Sequence, residues 1–265
     1  LLILSISQEK PEHVLKENNL EHIVAKCKFD WSSINRYELT EYIWTLRPKV
    51  INKEMSIEKF HRLLGNHIKH TIPVKLKKWG DTKVDNNCVW VGGLYHSNLD
   101  KEKQKSIELV IVYTSKSEMI SITPRNFLRT CHAVTNTIMH EIIHMRQYRR
   151  RKYKVLPSYN STAERTEQRE EQTYLGCSDE IDAYGYNIAC ELLLKFKNDT
   201  DKVIDYLNED QTGKRRNHNS WRMYLNAFNH DHDHQIIKRV KQKVIRYLPN
   251  AMYGKPYRNR DWISN

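Results

Sequence analysis

The sequence predicts an α+β chain: helices at the start, a small, mostly antiparallel sheet in the middle, and helices from there to the end. Three observations support this. Apolar residues recur at helical spacing over roughly the first seventy residues, the pattern changes to β-rich runs between Ile72 and Thr123, and helical spacing returns after Pro124.

The N-terminal helices are short and amphipathic. Leu20, Ile23, Val24 and Cys27 share one face, as do Tyr37, Tyr42, Ile43 and Leu46 before the stop at Pro48. Ser56 is placed to cap a third helix carrying Ile57, Phe60, Leu63 and Leu64. Residues 72–79, 88–96, 106–114 and 119–123 then read as strands. The polar segments between them are short enough for antiparallel neighbours, which predicts a four-stranded sheet. Val134, Ile138, Ile142 and Met145 mark the stripe of a helix from about Ala133 to Lys152. The stretch 157–178, rich in Glu, Gln, Ser and Thr, is a loop or a loosely held helix. Ser178 then caps a long helix through Ile181, Tyr184, Ile188, Leu192 and Phe196. Residues 199–210, 220–228 and 235–248 are helical as well. The expected organisation is an N-terminal helical region at 1–71, a core at 72–198 and a C-terminal helical region at 199–265.

Composition narrows the class. The 265 residues are 39% hydrophobic and 29% charged, with 8 Gly and 7 Pro, which excludes collagen-like and linker-like chains. Five cysteines, an odd number without a C-x-x-C pair, argue against a disulfide framework or a thiolate zinc site and fit a reducing compartment. No run approaches the ~18 apolar residues of a membrane span. Leu1 to Ile6 lacks the basic flank of a signal segment, and the chain starts without Met, so N-terminal processing stays open. The expectation is a soluble protein, cytoplasmic or virion-associated, without a membrane partner.

The formal charge of +12 is evidence about solubility or acidic partners, not about chemistry. The 13 histidines are more informative, because imidazole is the commonest metal ligand. His140-Glu141-Ile142-Ile143-His144 places two of them four residues apart inside the predicted helix. At 3.6 residues per turn both imidazoles reach one ion, and Glu141 projects beside them as a base for a water on the metal. In so histidine-rich a chain, H-E-x-x-H arises by chance in roughly 1 of 20 sequences, so the motif needs a helix and a third ligand to carry weight.

Asp179-Glu180-Ile181-Asp182-Ala183-Tyr184 offers the third ligand. H-E-x-x-H followed some tens of residues later by a helical E-x-x-A resembles the gluzincin zinc metallopeptidases, and the match runs from Val134 to Leu194. The resemblance implies a zincin-like fold, Zn²⁺ as cofactor, His140, His144 and Glu180 as ligands, and Glu141 as general base. Asp182 is the competing third ligand. Gln147, in H-E-x-x-H-x-x-Q, matches a common extension whose amide orients a ligand or substrate. Where thermolysin-like members carry an acidic residue four positions after the ligand glutamate, this chain has Tyr184. It is closer to compact gluzincin-like proteins of tailed-phage genomes. Tyr184, Tyr186, Tyr174 and the downstream histidines are candidate oxyanion donors, and an extended substrate is expected against an edge strand at 106–114.

Other features carry blander expectations. His230-Asp231-His232-Asp233-His234 could bind a second metal if extended, but between two helices Asp231 or Asp233 serves better as a cap. His132 is read as structural. Arg146, Arg149, Arg150, Arg151 and Lys152, the trio Lys75, Lys77 and Lys78, and the set Lys238, Arg239, Lys241, Lys243 and Arg246 form basic patches that would attract nucleic acid or an acidic protein surface. No nucleic-acid module accompanies them, which favours solvated faces. Two functions follow: zinc-dependent hydrolysis of peptide or protein substrates, or a structural or assembly protein, possibly of a virion, that retains the zinc helix without turnover.

Overall fold

The side chain of Asn35 accepts a hydrogen bond from the Tyr37 backbone N–H at 2.8 Å and opens helix α1, Arg36–Trp44. The computed structural model describes residues 35–68, 74–79, 90–114, 119–209 and 219–254. The helix expected around Leu20 to Cys27 lies outside them, as do Cys27 and Cys88. Helix α2, Arg47–Val50, carries Pro48 in its first turn, where the missing N–H costs nothing. Strand β1, Glu54–Ser56, leads directly into α3, Ile57–Ile68. Ser56 performs the expected cap: its Oγ accepts from the Lys59 N–H at 3.2 Å.

The next elements are β2 (Val74–Trp79), β3 (Trp90–Tyr95), the short helix α4 (Ser97–Lys101), β4 (Ile107–Thr114) and β5 (Met119–Ser121). The mixed α+β character is as expected, and two of the three strand pairings are antiparallel. The four-stranded sheet, however, is replaced by two smaller ones. β2, β4 and β3 form a three-stranded sheet in that order, with β2 parallel to β4. β5 pairs instead with β1, which the sequence reading missed because three residues are too few to show a period. The centre goes to the most apolar strand: Leu109, Ile111 and Val112 of β4 are 0–1% exposed. Since β4 is central, it is not the edge at which an added strand could dock; among the described strands of this sheet the edges are β2 and β3.

Helix α5 runs Pro124–Arg150, nine residues longer at its start than the apolar stripe suggests. Pro124 initiates it: Thr123 Oγ1 accepts from the Asn126 N–H at 3.2 Å, and proline takes the first helical position. The chain divides into two compact units, one reaching to Ile142 and the other starting at Ile143, so the boundary falls within this helix.

In the first unit α5 buries Phe127, Cys131, Val134 and Ile138, and Thr135 Oγ1 lies 3.0 Å from Thr40 Oγ1 of α1. In the second, α6 (Thr166–Leu175) forms within the polar stretch, followed after two residues by α7 (Ser178–Lys195). Ser178 is the first residue of α7, not its cap; Cys177 holds the cap position without a side-chain bond. Then come α8 (Thr200–Asn208, capped by Asp199), α9 (Ser220–Ala227, capped by Asn219) and α10 (Gln235–Ala251). α7 and α10 make the most extensive helix contact. Their backbones approach at Gly185, where a Cβ would lie 2.7 Å from Lys243 Cβ. Among the described residues Cys131, Cys177 and Cys190 are free thiols, and no helix is long and apolar enough to cross a membrane.

Candidate metal centre

His140 and His144 lie one turn apart on α5, at 3% and 9% exposure, because i and i+4 stack along one face of a helix. Glu180 enters from the first turn of α7, where the positive end of the helix dipole lowers the cost of burying a carboxylate. One ligand atom from each of the three lies within 4.8 Å of the others. Among the described residues no other group of His, Cys, Asp and Glu converges in this way. The three ligands expected from the sequence are therefore brought together, and they can hold a metal ion.

Hydrogen bonds around His144 show why. Gln147 Nε2 donates to the Asp179 carbonyl at 3.0 Å and to Asp182 Oδ2 at 3.3 Å, which orients the amide with Oε1 towards His144. The Nδ1–H of His144 donates to that oxygen at 2.8 Å. In the neutral ring Nε2 keeps its lone pair, and it lies 3.3 Å from Glu180 Oε1. Either a proton, giving a His–Glu ion pair, or a bridging metal cation satisfies both groups. The donor set of two imidazoles and a carboxylate fits such a cation chemically.

Asp182 does not join the ligands. Its two oxygens are occupied by Gln147 and by Lys243 Nζ of α10, the latter at 2.5 Å. Asp179 receives both terminal nitrogens of Arg151 at 2.7 and 2.6 Å. The first turn of α7 is thus pinned on either side of Glu180.

Glu141 is 7% exposed and projects towards β3. A Cβ at Gly93 would stand 2.6 Å from both Glu141 Oε1 and Thr137 Cγ2, so only glycine lets the strand pass this close to the helix. Sequence reading missed Gly93; the signal was the Gly92-Gly93 pair inside an otherwise apolar strand.

The tyrosines separate. Tyr174 of α6 hydrogen-bonds to both Glu180 and Tyr184, and burial, the neighbouring Tyr184 and the Glu180 charge push its phenol far above the ordinary range. Tyr184 is 2% exposed, packed edge-on against Tyr174 and Tyr224. Tyr186 points elsewhere, against Tyr247 of α10.

Comparison with protein-family models, curated proteins and solved structures gives no match. The case for this site therefore rests on its own geometry.

The remaining sequence candidates fall away from it. His234 caps α10, its Nδ1 accepting from the Ile236 N–H at 3.2 Å, so the cap is supplied by the histidine and not by Asp231 or Asp233. His132 lies two turns before His140 on α5; burial and the charge of Arg36 push its imidazole down to about 3. In the basic patches, Lys75 pairs with Glu108, Lys238 with Asp233, Arg239 with Ser178 and Lys241 with Asn208. Those cations are engaged within the fold.

Proposed function

We propose that the chain is a zinc-dependent peptidase of the gluzincin type, with His140, His144 and Glu180 holding the ion and Glu141 acting as general base. The observation that carries this reading is the convergence of the two imidazoles of an H-E-x-x-H helix with a carboxylate from a second helix, each ligand atom within 4.8 Å of the others. Bonds of about 2.1 Å at tetrahedral angles put ligand atoms roughly 3.4 Å apart, close to the His144–Glu180 separation of 3.3 Å. Zinc bound there would supply Lewis acidity towards a peptide carbonyl and a water of lowered pKa.

The chain's own residues account for the rest. Glu141, between the two ligands in sequence, accepts the proton of the attacking water and passes it to the leaving amine. Among the described strands of its sheet β3 lies at an edge, and its backbone passes directly by Glu141 at Gly93. An extended peptide added to that edge would bring its backbone to the base.

Zinc content and cleavage of a mixed peptide library test the reading. The native chain should bind one zinc and cleave; Glu141→Gln should keep the zinc and lose roughly 100- to 10,000-fold in turnover. Glu180→Ala should weaken zinc far more than Asp182→Ala. Zinc without cleavage by the native chain would favour the structural or assembly role, and absence of zinc would defeat both.

A further inference from the structure

The helical spacing of α7 gives Asp182 and Gly185 neighbouring positions on one face, and α10 lies against that face. Gly185 stands in the interior of this helix at a cost of about 1 kcal/mol relative to alanine. The closeness of Lys243 explains it, since any side chain at 185 would strike the Lys243 stem. With the helices this close, the Lys243 ammonium reaches Asp182 Oδ1 at 2.5 Å. Asp182 Oδ2 accepts from Gln147, and Gln147 Oε1 accepts from His144. Four residues on three helices thus form one chain of hydrogen bonds that ends on a metal-ligand imidazole.

We infer that Lys243, Asp182 and Gln147 are positioning residues that set the ring orientation and tautomer of His144, making α10 part of the metal centre although it contributes no ligand. The inference rests on the metal-site reading given above. Each link has a defined task. Gln147 is a neutral acceptor, so His144 keeps its proton on Nδ1 and presents Nε2. Asp182 holds the Gln147 amide in the orientation that makes its oxygen the acceptor. Lys243, two-thirds buried, neutralises Asp182, which would otherwise be a bare carboxylate within one turn of Glu180. A carboxylate at position 147 would perform the first task but would repel Asp182 and forfeit the two bonds the amide donates. That is why an amide suits this position, and why Asp182 is here a support for the centre.

The test measures zinc affinity by chelator competition, the thermal midpoint of the metal-free protein, and the His144 tautomer by ¹⁵N NMR. Gln147→Met should weaken zinc about 10- to 100-fold. Asp182→Asn and Lys243→Met should weaken it about tenfold, with the metal-free midpoint moving only a few degrees. The double variant Gln147→Met with Asp182→Asn should bind no more weakly than Gln147→Met alone, since both act through one chain. In the native metal-free protein, at a pH high enough for the imidazole to be neutral, the His144 proton should sit on Nδ1, and Gln147→Met should lose that preference. Unchanged affinity in all three single variants, or a native proton on Nε2, would overturn the inference. A native chain that binds no zinc would count against the metal centre instead, and the tautomer measurement would still decide the role of Gln147.

Discussion

Two segments of this chain concentrate imidazole and carboxylate, and the richer of them, His230 to His234, is the one that forms no ligand cluster. His140 to His144 lies inside a continuous helix, both rings leave the same face, and both are buried. His230 to His234 lies where the backbone turns, with left-handed residues at Asn229 and His230 (φ 55° and 57°). There two of the rings pack against separate neighbours: His232 stands edge-on to Trp221 at 6.2 Å between ring centres, His234 lies against Phe228 at 4.6 Å, and its Nδ1 serves the start of α10. The difference lies in direction and shielding, not in the number of donors. A metal site needs a backbone that aims its ligands at one point and a wall that keeps water from competing.

The largest effect that would break this comparison is on metal binding. His144→Ala should lower zinc affinity by well over 100-fold, as measured by chelator competition, while His230→Ala and His232→Ala should leave it unchanged; a loss in the loop variants would mean that the second segment takes part after all. Next comes the strand beside the base. Gly93→Val should cut peptide turnover by at least tenfold while zinc remains bound, because the added side chain must displace Glu141 but touches no ligand. Equal turnover in Gly93→Val would separate Glu141 from the strand.

A third histidine sharpens the contrast through pH. His132 carries a folded-state pKa of about 3 against an ordinary 6.5. Above 6.5 neither state binds the proton and stability is full. As pH falls below 6.5 the unfolded chain takes a proton that the folded chain refuses, and the loss grows until pH nears 3. At pH 5 this amounts to roughly 2 kcal/mol, so His132→Phe should flatten the fall in denaturant-measured stability between pH 7 and 5 by about that much. The smallest effect is the cap: His234→Ala should cost about 1 kcal/mol of stability without touching zinc.

Much of this was legible from spacing alone. Helices with a clear apolar stripe, such as α3 and α7, stand where the pattern put them, and His140, His144 and Glu180 do converge. What escaped depended on partners distant in sequence. Whether β2 lies parallel to β4 is decided by how strands are ordered in space, which no local period records. Asp182 and Glu180 are chemically near-identical and two residues apart; only the positions of Gln147 and Lys243 assign one to support and the other to the ligands. Gly93 and Gly185 mark close approaches whose other halves, Glu141 and Lys243, lie 48 and 58 residues away.

Successive residues of a helix point about 100° apart, so Asp179, Glu180, Ile181 and Asp182 face four directions, and each direction is occupied: Arg151, the ligand pair, the core, and the Gln147–Lys243 link. Adding or deleting one residue upstream would rotate the whole turn and exchange these tasks, offering isoleucine or the wrong carboxylate to the ion. The two residues between α6 and α7 are thus the spacer that precedes this turn. Gly176 in that spacer has no room to change, since a Cβ there would enter the Tyr159 ring. A connection that looks like an ordinary surface turn sets the phase of the metal centre, as a key's shank length sets which pins its teeth meet.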